Sequence, residues 1–167
     1  SSKIFSKEMD TSSVEDGVCL LLDEIYERLT AINPDILIEF RQSYVGPVML
    51  QYGNMIRAFD CPMDPVTNRV CTVNLRLTSG ERAVHSDMIM WDMAEPVETA
   101  ADKLINILFA VPQISVKINE LSESHYKMLK YYLKFWNEYE DVIMKGQLEA
   151  ESPEANYSLV KSEKNGQ

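Results

Sequence analysis

The sequence predicts an α/β protein built on a parallel sheet, and three observations carry that prediction. After an opening helix, short apolar runs alternate with longer stretches of helical spacing, four times in succession. Repeated strand–helix order puts the strands parallel, joined by right-handed crossovers. Two of the apolar runs end in charged residues: Ile36-Leu37-Ile38 leads into Glu39-Phe40-Arg41, and Asn54–Phe59 leads into Asp60, with Asp64 just beyond Cys61-Pro62-Met63. Charged groups at the carboxyl ends of parallel strands are where α/β enzymes build their sites. Finally, 167 residues that are 46% hydrophobic and 25% charged suit one domain, or part of a larger one, with a core of its own.

The elements follow in order. Residues 1–11 read as a loop. Ser12-Ser13-Val14-Glu15 has the S-x-x-E form of a capping box and opens a helix whose Val14, Val18, Leu21, Leu22, Ile25, Leu29 and Ile32 share one face. Asn33-Pro34 stops it. A strand follows at about Ile36–Phe40. Gly46-Pro47 turns the chain, and a short helix fits Val48–Tyr52. The second strand is Asn54–Phe59, and a helix is expected over Pro65–Leu77. Ala83-Val84-His85 is the third strand, running on through the Met-rich Ser86–Trp91. A helix over Val97–Phe109 turns Ala100, Leu104, Ile105 and Leu108 inward, and Ile114-Ser115-Val116 is the fourth strand. Ser122 caps a long helix over Glu123–Lys145, with Tyr126, Leu129, Leu133 and Trp136 on its buried stripe and Gly146 at its end. From Gln147 onward the chain reads as a polar, acidic tail or linker. Four strands cannot close a (β/α) barrel, which takes eight, so the pattern is a small open sheet or half of a barrel.

Composition narrows the function. A net charge of −10 argues against nucleic acid and against anionic membrane surfaces, and is compatible with a neutral substrate such as a sugar. Cys19, Cys61 and Cys71 form no metal spacing, and with only His85 and His125 a zinc site is not expected. Free thiols fit a reducing compartment and favour the cytoplasm. No run approaches the ~18 apolar residues that span a bilayer, and residues 1–10 have no signal-peptide core. Neither a GxGxxG after the first strand nor a Walker A motif is present, which weighs against nucleotides.

The segments IEFRQSYVGP, GNMIRAFDCPMD with NR shortly after, AVHSDMIMW, VPQISVKINELSESH and KFWNEY occur in that order between Asp16 and Gly146. Together they resemble one branch of the melibiase-type α-galactosidases, glycoside hydrolase family 36. The resemblance implies that residues 1–146 are the C-terminal part, about strands 5–8 and their flanking helices, of a (β/α)8 TIM barrel, with 147–167 as the tail. It implies retaining hydrolysis of terminal α-linked sugars by two aspartates, without cofactor or metal. Asp60, after the sixth strand, falls on the general acid/base, and His85 falls near a histidine at the end of the seventh. The family's nucleophile lies on a Lys-x-Asp strand upstream of the helix at Ser12, and residues 1–11 contain none. The chain therefore reads as a fragment, inactive alone, with an α-galactoside or related oligosaccharide as its ligand. Two departures fall in loops that touch the sugar. FRQSYVGP replaces a Cys-Ser and glycine-rich stretch, and Ala58-Phe59-Asp60-Cys61-Pro62-Met63-Asp64 replaces Trp-Ser-Asp-x-Thr-Asp.

Each candidate has a second reading. Asp60 also fits a strand-end turn residue or a helix N-cap, and Asp64 before Pro65 fits an N-cap. Arg41 suits a hydroxyl-rich substrate or an ion pair with Glu39 or Asp60. His85 suits the site or a neutral core position. Asp87 suits a sugar hydroxyl or a loop cap, and Trp91 a sugar-stacking platform or core packing. His125 reads as a solvated surface residue. A non-catalytic carbohydrate-binding or scaffold module that pairs with a second copy through open sheet edges is the competing function.

Overall fold

The computed structural model describes residues 11–41, 45–57, 64–80 and 82–167. The chain divides into two units, Ser1–Ile38 and Glu39–Gln167.

The first unit contains helix α1, Val14–Ile32. Its N-cap is Ser13, whose Oγ accepts a hydrogen bond from the Asp16 N–H at 3.0 Å. The capping pattern is thus displaced by one residue from the expected Ser12–Glu15, and the Ser12 hydroxyl donates to the Asp16 carboxylate instead. Glu15 and Asp16 oppose the positive end of the helix dipole. Asn33 ends the helix, with its N–H on the Leu29 carbonyl.

The second unit holds a four-stranded, fully parallel sheet in the order β1 (Glu39–Arg41), β2 (Met55–Arg57), β3 (Ala83–Ile89), β4 (Val111–Ile114). Helix α2 (Pro65–Thr78) joins β2 to β3, and α3 (Val97–Asn106) joins β3 to β4. Helix α4 (Glu123–Lys145) follows β4. Each strand lies beside its predecessor, so right-handed crossovers carry the connecting helices to one face. Strand alternation then assigns the residues. Phe40, Ile56 and Val84 stand in one register row, and Ile56 and Val84 are fully buried. The next row is Arg41, Arg57 and His85. Successive rows face opposite sides of the sheet, so an apolar face and a charged face follow from the sequence.

The core gathers Ile89 and Trp91 from the end of β3, Ala100, Leu104 and Ile107 from α3 and its exit, and Leu129 and Trp136 from α4. The Trp136 indole N–H donates to the Leu108 and Ala110 carbonyls at 3.2 and 3.1 Å. Arg76 of α2 is buried without an acid partner among the described residues. Its guanidinium donates to the carbonyls of Phe109 (2.7 Å), Ile143 (3.0 Å) and Met144 (3.1 Å). Two of these belong to the last turn of α4, whose carbonyls have no partner within the helix, so Arg76 caps α4 from another element.

Several boundaries differ from expectation. The fourth strand lies at Val111–Ile114, three residues before the expected Ile114–Val116, and contains Pro112. Among the described strands it is at the edge, and the Gln113 and Ser115 N–H groups reach back to the Ser86 hydroxyl and the Ile89 carbonyl, so Pro112 points outward, where no donor is needed. Helix α3 stops at Asn106, which receives Arg69 on its side-chain carbonyl, and Ile105 is exposed rather than inward. In α4, Tyr126 is exposed and His125 takes the buried position.

The largest correction concerns the tail. Residues Gln147–Glu151 (β5) and Leu159–Glu163 (β6) form an antiparallel hairpin. Their alternation sets Leu148, Ala150, Val160 and Ser162 on a half-buried face and charges on the other. The hairpin is tied back by Ser162 Oγ on the Val142 carbonyl, Tyr157 Oη on Asn74, and Lys164 on Asp141. Gly146 is required at the junction, since a Cβ there would lie 2.3 Å from Ser162 Oγ and 2.4 Å from the Val142 carbonyl.

Candidate functional site

Strands β1–β3 bring charged side chains together on the face opposite the apolar row, from Glu39 at the start of β1, Arg57 at the end of β2, and His85 and Asp87 within β3. Arg57 is the centre. Its Nε lies 3.3 Å from Glu39 Oε1, and its Nη1 lies 3.8 Å from Asp87 Oδ1. Glu39 also faces His85, with Oε2 4.0 Å from Nδ1, too far for a hydrogen bond. Register explains the grouping: Arg57 pairs with both Arg41 and His85, and Glu39 stands two rows back, beside Met55 and on the same face. Two arginines side by side need anions nearby, and Glu39 and Asp87 supply them.

Asp87 is 1% exposed. Its Oδ1 accepts the Met88 N–H at 2.8 Å, and its own N–H donates to Asn68 of α2 at 3.3 Å. Its Oδ2 is buried and accepts no hydrogen bond among the described residues. The irregularity in the β3–β4 pairing falls between His85 and Met88, so Ser86 and Asp87 are both buried in succession. Burial lowers the His85 pKa, an effect opposed by the Glu39 carboxylate and reinforced by the Arg57 cation. A neutral imidazole results near pH 7, with one donor and one acceptor. The cluster can therefore bind hydroxyl groups by donation and acceptance around a fixed guanidinium.

The remaining candidates separate. Asp60 lies outside the described residues. Arg41 is exposed at the end of β1, in register with Arg57. Asp64 is the N-cap of α2: its carboxylate accepts from the Thr67 N–H at 3.0 Å and from the Thr67 hydroxyl, which lower its pKa, with Pro65 at the first helical position. Trp91 is buried in the core at 7% exposure, and its indole stacks on His125, centroids 6.1 Å apart at 16°. A sugar platform needs an open ring face, so Trp91 packs as core. His125 is correspondingly buried at 3%, with Nδ1 2.7 Å from Ser122 Oγ.

Sequence reasoning missed Arg57 as a member of the site. Its signal was positional: it ends an apolar strand three residues before Asp60, and its alternation partners on the neighbouring strands are charged. Among the described residues no three His, Cys, Asp or Glu side chains cluster as a metal would require, and no helix is long and apolar enough to cross a membrane. Compared with models of known protein families the chain matches none, and a search of curated proteins finds no match.

Proposed function

We propose that this chain supplies the carboxyl-side strands of a retaining glycosidase barrel acting on terminal α-linked sugars, with α-galactosides as the substrate class. The observation that carries the reading is the register row Arg41–Arg57–His85, with Glu39 and Asp87 around Arg57, three residues upstream of Asp60. Sequential parallel strand order, with the connecting helices on one face, leaves the charged face to line an interior, as in a (β/α)8 barrel. The resemblance of the quoted sequence segments to the α-galactosidases supports the same reading.

Asp60 is the general acid/base in this reading. It protonates the glycosidic oxygen in the first step and takes the proton from water in the second. The nucleophile comes from outside this chain, about 5–5.5 Å from the acid/base. A proton donor must stay protonated near neutral pH, which a bare cation beside it would prevent. Glu39 and Asp87 neutralise Arg57 and remove that obstacle. Neutral His85 and the carboxylates hold sugar hydroxyls.

The test is kinetic, in a protein that joins this chain to the strands completing the barrel. Asp60→Asn abolishes turnover of poor leaving groups, spares the first step on activated aryl glycosides, and is partly rescued by azide. Unchanged kinetics refute the assignment. The chain alone binds α-galactosides without turning them over. A second reading, a non-catalytic carbohydrate-binding module, is favoured by the engagement of both described carboxylates with Arg57. It predicts sugar binding that Asp60→Asn leaves intact and no turnover in any longer form.

A further inference from the structure

We propose that the outer face of α4, with the groove it forms against α3, is a self-association surface that takes a second copy of this chain in antiparallel register. The surface is independent of the charged sheet site. Tyr131, Phe135 and Tyr139 recur every four residues and form one stripe along α4. They are 74%, 39% and 38% exposed, and the Phe135 and Tyr139 rings lie 4.8 Å apart. Beside the stripe, Ala101, Ile105 and Leu108 from α3 and its exit, with Met128 and Phe135 of α4, line an open apolar groove of about 310 Å³. Ile105 is 64% exposed on its rim. Exposed apolar surface gathered around a groove marks an interaction site, and aromatic residues anchor such sites. A ring from one copy seated in the groove of the other, twice over, is the self-complementary contact a two-fold axis produces.

Charge selects a second copy as the occupant. The chain carries a net −10, so most of its surface repels another copy. Helix α4 does not: Lys127, Lys130, Lys134 and Lys145 balance Glu123, Glu138, Glu140 and Asp141, four against four. The balance is also polarised. Three of the lysines precede Phe135, and three of the acids follow it. Antiparallel packing sets the lysine half of one copy against the acidic half of the other, at both ends of the contact. Lys130, Lys134 and Glu138 make no ion pair within the chain among the described residues, so these three are available to a partner.

Sedimentation and light scattering of the full chain across a concentration series test the proposal. A reversible dimer of the 19.1 kDa chain is expected. Tyr131→Glu, at a position exposed enough to leave folding intact, weakens the dimer by at least about tenfold. Lys130→Glu weakens it as well, and adding Glu138→Lys to that variant restores it. A monomer at every attainable concentration overturns the proposal. So does a dimer that neither Tyr131→Glu nor Lys130→Glu weakens, because the copies would then meet elsewhere, for instance at the sheet edges.

Discussion

Replacing Arg76 by Met is expected to destabilise the second unit by about 3 kcal/mol. Met keeps most of the buried stem and removes only the guanidinium. Three carbonyls then lose their donor: Ile143, which is buried, and Phe109 and Met144, which are partly buried. A hydrogen bond from a charged group contributes about 1.5–3 kcal/mol, and an unsatisfied buried carbonyl costs about 1–3 kcal/mol. Three such losses would exceed the expected figure. Against them stands the desolvation of the buried guanidinium, which lowers the Arg76 pKa and which the substitution relieves. The positive charge at the carboxyl end of α4 adds roughly 0.5–1 kcal/mol to the loss. For a chain of this size about 3 kcal/mol corresponds to a fall in Tm of roughly 6–12 °C. Thermal melts followed by tryptophan fluorescence read the change locally, because Trp136 bonds the Leu108 and Ala110 carbonyls on either side of Phe109. Arg76→Lys, a single ammonium in place of a planar fork, should recover about half of the loss. A Met variant melting within about 1 °C of the parent, or a Lys variant indistinguishable from it, would refute the capping argument.

Two further outcomes follow from the same reasoning. Because burial lowers the His85 pKa, the folded chain binds that proton less readily than the unfolded chain. Stability is unaffected above the unfolded value of about 6.5 and falls as pH drops from there through the folded value. His85→Gln should therefore flatten the loss of urea resistance between neutral and mildly acid pH, and an unaltered acid limb would contradict the assignment. Trp136→Phe removes a donor from the buried Ala110 carbonyl and the partly buried Leu108 carbonyl and opens a void, which should cost about 2–4 kcal/mol in urea unfolding. A change under about 1 kcal/mol would mean the site collapses and finds other donors.

Helix ends were the most legible part of the fold, because their signals are local. Ser122 and Gly146 bound α4 at the expected residues, and Asp64-Pro65 opens α2. The strands were legible as runs, less so in their limits: β4 begins three residues before the expected Ile114 and includes Pro112, which a strand tolerates at an edge, and edge position is set by the strand order and not by local sequence. The hairpin at Gln147–Glu163 was missed because its apolar positions are few and small, so composition masked a period of two. Its docking rests on groups such as Asn74 and Val142, far away in sequence. His125 was misjudged for a related reason, since its burial depends on Trp91, which no local pattern connects to it. In the site, the acids at strand ends were visible, but the pairing of Glu39, Arg57 and Asp87 needs the register of three strands.

Pro112 has a consequence for how the chain behaves in solution. With the Gln113 and Ser115 amides turned inward, the outward positions of β4 are Pro112 and Ile114, so this border offers a stray strand a single N–H within β4. Unfolded or partly folded neighbours recruit one another through unbroken rows of amide donors. A border with one donor is a poor template for that growth, so in the chain by itself, before any further strand completes the sheet, the proline guards against edge-to-edge aggregation.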